Sequence, residues 1–239
     1  VKPHYAIPIA ECKEPLVPIP LELFDRVSPH AYWSLGAPYG DKSPFFLRQS
    51  VLERLCQAQD YLQTQRSGWR LQIFDAYRPL RVQQFMVDYT FNALLTKAGL
   101  DSTTITDSHR QQILERVYEF WAAPMIDPAM PPPHSTGAAI DLTLVDETGT
   151  PVEMGSAIDE LSPRSYPNHF ANSTGEEQHY HGHRQLLCQT MAAGGFLRHP
   201  KEWWHFSYGD QLWAWLSQQA GSDCAAIAHY GRVEKETPI

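Results

Sequence analysis

One stretch, His134-Ser135-Thr136-Gly137-Ala138-Ala139-Ile140-Asp141, constrains the fold more than any other. From Ala138 on, the side chains alternate. Ala138, Ile140, Leu142 and Leu144 share one face, and Ala139, Asp141 and Thr143 share the other, as in a strand. Asp141 is therefore expected on a rigid strand, pointing away from its apolar neighbours. His134 closes a proline run (Pro131, Pro132, Pro133). Gly137 can adopt the positive φ that lets the chain turn back, so that imidazole and carboxylate meet at one point. Such a pair suits a zinc site, but a catalytic zinc needs a third protein ligand.

Totals narrow the classes. The chain has 239 residues, 43% of them apolar, with seven Trp, which is enough for a substantial core. A formal charge of -8 without a basic cluster argues against nucleic acid or an anionic membrane as partner. No apolar run is long enough to span a bilayer. No signal-peptide pattern is visible, and the start at Val1 rather than Met fits removal of a short piece. Cys12, Cys56, Cys188 and Cys224 are scattered, which fits separate thiols better than a disulfide framework and leans toward a reducing compartment.

Along the chain, residues 1–48 read as a Pro-rich N-terminal extension with strand-like pieces at Tyr5–Ile9 and Phe45–Leu47. Tyr32 to Gly40 reads as an aromatic loop, suited to lining a pocket or to packing on the core. Val51, Leu55, Ala58 and Leu62 predict a helix over 50–66, ended by Gly68. Trp69, Leu71 and Ile73 alternate with polar residues and predict a strand. It runs into Asp75-Ala76-Tyr77-Arg78-Pro79, where Pro79 opens a helix reaching about Leu95. Arg78 thus lies at a strand-to-helix corner, a place where functional side chains are often displayed, although a lone Arg there is more often a surface ion-pair residue.

A third helix is expected after a cap at Asp107 or Ser108, with Ile113, Val117, Phe120 and Trp121 on one stripe. Residues 123–133 form a proline-rich loop. Residues 160–178 are irregular, a helix covers about 182–193, and Glu202-Trp203-Trp204-His205-Phe206 is strand-like. Trp213 and Leu216 suggest a last short helix, and the tail over 221–239 is expected to be mobile. Clustered helices and few strands imply α+β: a small, mainly antiparallel sheet with helices packed around it and the zinc site at the sheet, in one domain over 1–239.

His205 supplies the third ligand candidate and Glu202 a base. On a regular strand these two would face opposite ways, so Glu202 must precede the strand or a bulge must intervene. Taken from the residues alone, a metal site and a half-buried structural His among aromatics stay open together. His179, His181 and His183 form a rival cluster, read as surface histidines because no strand-borne carboxylate stands beside them.

These blocks, in this order, resemble the D-alanyl-D-alanine dipeptidases, within a wider group of D,D-carboxypeptidases and peptidoglycan endopeptidases. The blocks are Asp75–Pro79, His134–Leu144, Met154-Gly155-Ser156 and Gly194-Gly195-Phe196 leading to Glu202–His205. The resemblance covers Tyr32 to Tyr208. It implies one Zn²⁺ per chain on His134, Asp141 and His205, Glu202 as general base, and Arg78 stabilising the oxyanion. It also implies that Asp159 holds the substrate ammonium, with Tyr32 near that end and Ser135 shaping the site. The substrate implied is a small D-amino-acid dipeptide, and the compartment the cytoplasm, with the periplasm as the other option. The family's serine two residues before the first metal histidine is here Pro132, and Leu35–Tyr39 departs from the family loop. Both changes fall on substrate-contacting parts. The alternatives are a carboxypeptidase or endopeptidase on the same scaffold, and a zinc-binding module without catalysis.

Overall fold

In the computed structural model, residues 2–100, 105–119, 121–221 and 226–233 are described. Phe120, Cys224 and most of the tail over 221–239 lie outside them, so the expectations placed there are not taken further.

A five-stranded sheet carries the site. In chain order its strands are β2 (Asp25–Arg26), β4 (Arg70–Asp75), β5 (Ala139–Val145), β6 (Leu197–Arg198) and β7 (His205–Ser207). Their spatial order is β2-β4-β5-β7-β6. Only β2 with β4 is parallel, so the sheet is mainly antiparallel, as expected. A separate antiparallel pair joins β1 (Leu16–Pro18) to β3 (Phe46–Arg48).

One face of the sheet meets α2 (Gln49–Gln65) and α5 (Glu176–Ala193). Val51, Leu55, Ala58 and Leu62 of α2 are fully buried in one cluster with Ile140, Leu142 and Leu144 of β5 and with Leu187 and Met191 of α5. Fully burying a side chain of this size contributes about 1.5–3 kcal/mol, so this cluster fixes the sheet's apolar face. Gln59 pins α2 to β4: its Oε1 accepts from Leu71 N at 2.8 Å, and its Nε2 donates to Trp69 O at 3.0 Å.

A second cluster lies apart. It packs α3 (Leu80–Lys97) and α4 (Asp107–Tyr118) with Tyr32 and Tyr39. Val82, Met86, Phe91, Val117 and Trp121 belong to it.

Several local expectations shift. Tyr5–Ile9 is not strand-like: Pro3–Ala6 is a 3-10 turn, and only Ile9 makes a bridge, to Ala228. Pro3 fixes a helix-compatible φ and has no N–H to give a sheet, while Tyr5 N donates to Lys2 O at 3.1 Å. The aromatic loop opens with a helical turn, α1 (Ala31–Ser34), because the His30 ring accepts from Trp33 N. The cap of α4 is Thr106, whose hydroxyl accepts from His109 N at 3.2 Å. Asp107 sits instead in the first turn, where a carboxylate favours the helix N-terminus. Helix α5 starts at Glu176, before the expected 182, so His179, His181 and His183 are helical. Residues two apart on a helix diverge by roughly 200°. His183 Nδ1 reaches Glu153 O at 2.8 Å, and His181 Nε2 lies 3.5 Å from Gln185 Nε2.

Candidate metal and peptidase site

The register of the sheet brings the candidate ligands together. Asp141, in the central strand β5, pairs with His205 of β7 on one side and with Asp75 of β4 on the other. His134 arrives from the 3-10 turn Pro133–Thr136, which ends at Gly137 with φ 70°. The positive φ is what calls for glycine here; a Cβ would also meet the end of the Leu16 side chain, which would have to shift. The corner after β4 holds His134 in place: Ala76 O accepts from His134 Nδ1 at 2.7 Å, and Arg78 N donates to His134 O at 3.2 Å.

The three donor atoms converge. His205 Nδ1 is 2.9 Å from Asp141 Oδ1, His134 Nε2 is 3.1 Å from Asp141 Oδ2, and the two ring nitrogens are 3.2 Å apart. All three residues are buried. Outer contacts fix both tautomers. His134 must donate its Nδ1–H to the Ala76 carbonyl. Ser207 Oγ donates to Asp210 Oδ2 at 2.9 Å, so at 3.4 Å it accepts from His205 Nε2. The facing nitrogens then carry lone pairs, and they point at each other and at a carboxylate. That arrangement is repulsive without a cation. The edges of a tetrahedron with metal–ligand bonds of about 2.0–2.1 Å are roughly 3.3 Å, near the spacing seen. The residues fit a zinc ion. Among the described residues no other group of His, Cys, Asp and Glu converges this way.

Glu202 lies outside the strand, just before the bend Trp203–Trp204 that leads into β7, which resolves the facing problem without a bulge. Its Oε2 is 3.9 Å from His205 Nδ1 and its Oε1 is 3.6 Å from His199 Nδ1. It thus stands beside the ligand trio rather than within it. Burial, and then repulsion from Asp141, raise its proton affinity well above that of an ordinary carboxylate, with Lys2 opposing. Asp141 behaves in the opposite way: burial works against its charge, but when the facing nitrogens of His134 and His205 carry protons they hydrogen-bond it and hold it well below the usual range.

Arg78 is buried and makes four hydrogen bonds. It donates to Asp75 Oδ2 at 2.8 Å, Gln83 Oε1 at 3.0 Å, Asp141 Oδ2 at 3.2 Å and Tyr32 Oη at 3.3 Å. Its guanidinium lies about 5 Å from the rings of both Tyr32 and Trp121. Asp75, fully buried, also accepts from Tyr39 Oη at 2.7 Å and contacts His30 Nε2 at 3.2 Å.

A profile of the D-Ala-D-Ala dipeptidase family of M15 peptidases matches residues 25–223. The chain belongs to that family. It is 49% identical over 241 residues to a D-alanyl-D-alanine dipeptidase of Synechocystis sp., covering 98% of both chains. It is 32% identical over 164 residues to one from Enterococcus faecium, covering 67% of this chain and 72% of that one. Among solved structures, the zinc-bound D,D-pentapeptidase VanY of a VanB-type resistance cassette aligns with 80% of this chain and 82% of its own. The TM-score is 0.43 and the identity 16%. This M15 chain is therefore an enzyme of a metallopeptidase family, and none of its described helices is long and apolar enough to cross a membrane.

In this M15 chain the remaining candidates form a relay leading away from the ligands. Tyr32 Oη accepts from Arg78 and donates to Asp159 Oδ2 at 2.7 Å. Asp159 holds φ 63°, a costly conformation for a residue with a side chain. Burial and then Asp141 push its carboxyl up to about 6, against Arg78 and Tyr32. Ser135 is turned inward, donating to Pro132 O at 2.7 Å. Lys2, His4 and His199 also line the cavity, with Trp121, Pro132 and Pro133. No motif or spacing pointed to Lys2 or His4, which stand far from every block of the site. His199 was legible in principle, three residues before Glu202.

Proposed function

We propose that this chain hydrolyses the free dipeptide D-Ala-D-Ala, with one zinc held by His134, Asp141 and His205. Bound there, zinc would acidify water and polarise the scissile carbonyl. Glu202 takes the proton from the attacking water and returns it to the departing amine. Its raised proton affinity and its place just outside the ligand trio suit both transfers. Arg78, fixed between Tyr32 and Trp121, offers positive charge where the tetrahedral oxyanion develops and needs no reorganisation to do so. Asp159, set by Tyr32, accepts the substrate's ammonium.

The observation that carries the reading is the unbroken chain from Asp141 through Arg78 and Tyr32 to Asp159. It ties a metal ligand to a carboxylate suited to a free amino terminus, and so favours a dipeptidase over a carboxypeptidase. The deciding experiment compares hydrolysis of D-Ala-D-Ala with that of N-acetyl-D-Ala-D-Ala by the zinc-loaded protein. The free dipeptide is expected to be cut far faster. Cleavage of the blocked substrate alone would establish the carboxypeptidase alternative, and cleavage of neither with zinc bound would leave the non-catalytic module.

A further inference from the structure

The N-terminal segment builds one wall of the cavity. Its 3-10 turn is anchored on α6 (Gln211–Gln219): Gln211 Nε2 donates to Ile7 O at 2.7 Å and to Ala129 O at 3.0 Å. Ala10 N donates to Ala228 O at 2.8 Å. This anchoring presents Lys2 and His4 to the cavity, on the side of Glu202 and His205.

Charge in the cavity is unevenly matched. Asp141, Asp159 and Glu202 are the acids, and Arg78 and Lys2 the basic side chains; burial lowers the proton affinity of Lys2, with Glu202 opposing. Arg78 is already held by Asp75 and Asp141. Lys2 makes no ion pair within 4.0 Å among the described residues. His4 Nε2 is buried with no hydrogen-bond partner among them. The neighbouring wall, Pro132 and Pro133, has no N–H to give. A charge and an unspent polar atom thus line the same cavity as Asp159.

From this juxtaposition we propose that Lys2 and His4 form the receptor for the substrate's C-terminal carboxylate. The proposal rests on the hydrolytic reading above and extends it. Asp159 and Lys2 then measure a zwitterion from both ends. A substrate continuing past its second residue would place a neutral amide against Lys2, so the N-terminal segment selects chains that end there.

The test is steady-state kinetics of the full, zinc-loaded chain on D-Ala-D-Ala and on D-Ala-D-alaninamide. The readout is the ratio of the two kcat/KM values. In Lys2→Met this ratio should fall about 10- to 100-fold, mostly through KM of the dipeptide, as for loss of a charge-assisted hydrogen bond. His4→Phe should lower it less, and Lys2→Arg should keep it within about threefold. A ratio unchanged in Lys2→Met, with both substrates falling together or neither, overturns the proposal. So does a ratio lost in Lys2→Arg as fully as in Lys2→Met, which would assign the effect to side-chain shape. Should the wild type cut only N-acetyl-D-Ala-D-Ala, the dipeptidase reading alone fails. That substrate also ends in a carboxylate, and the same ratio is then read on it against its amide.

Discussion

Asp141 and His205 stand opposite each other across the β5–β7 pairing, with Nδ1 2.9 Å from Oδ1. An antiparallel register fixes this contact, so it does not depend on loop conformation. The opposite neighbour of Asp141 is Asp75, which holds Arg78. One strand therefore sets both the candidate metal ligands and the cation next to them.

Glu202→Gln separates chemistry from metal binding. Activity is expected to fall by about 10²–10⁴-fold, the usual range for a lost general base, while zinc stays stoichiometric. Parallel kinetics and elemental analysis check this. Zinc lost along with activity would make Glu202 a ligand or a support for one.

Removing zinc should destabilise the fold, because two imidazole lone pairs and a buried carboxylate then face one another. At free zinc about 1,000-fold above Kd, binding stabilises by about 4 kcal/mol. Calorimetry should show a lower Tm in chelator and recovery on adding zinc. His205→Ala should show the lower Tm regardless of zinc. An unchanged Tm in chelator would count against the trio as the site.

Asp159→Asn removes the proposed ammonium partner. KM for D-Ala-D-Ala should rise about 10- to 100-fold, with little change for N-acetyl-D-Ala-D-Ala. Equal losses on both substrates would instead assign Asp159 to the support of Tyr32 and Arg78.

Asp210 gives a pH signature. Burial pushes its carboxyl up to about 6, against hydrogen bonds from Trp213 N and Ser207. The unfolded value is about 3.9, so the folded state binds the proton more tightly. The resulting stability is full below about pH 4 and is lost as pH rises through 6. The change is roughly 3 kcal/mol over that window. In urea titrations of the zinc-free protein, Asp210→Asn should gain on the wild type by up to that amount between pH 4 and 7. A constant difference between the two would refute the assignment.

Gly137→Ala should cost about 1–2 kcal/mol through its left-handed backbone, and should weaken zinc binding because His134 hangs on the same turn. Denaturant midpoints and zinc affinity measure the two effects. An Ala variant with wild-type values would mean that the turn tolerates a Cβ and that Leu16 moves aside.

What was legible in the sequence was local. The alternation after Gly137 placed β5 and the outward face of Asp141, and the 3.6-residue repeat placed α2. The fixed tetrapeptide spacing put Glu202 near His205. Periodicity and turn chemistry act over a few residues, so they survive in a one-dimensional reading. The same local reading failed at Tyr5–Ile9, where apolar content suggested a strand and Pro3 dictated a turn.

The tertiary structure decided everything that depends on register and on docking. Strand pairing set Asp75, Asp141 and His205 in one row, a relationship between residues 64 and 66 positions apart that no motif spacing encodes. Packing within the second apolar cluster made Arg78 a buried partner of Tyr32 and Trp121 rather than a surface ion-pair residue. Docking of the first residues onto α6 brought Lys2 and His4 to the cavity. The sequence by itself determined which residues could bind a metal and move a proton. Only the fold decided which of them share a cavity, because long-range contacts are fixed by burial and hydrogen bonding summed over the whole chain.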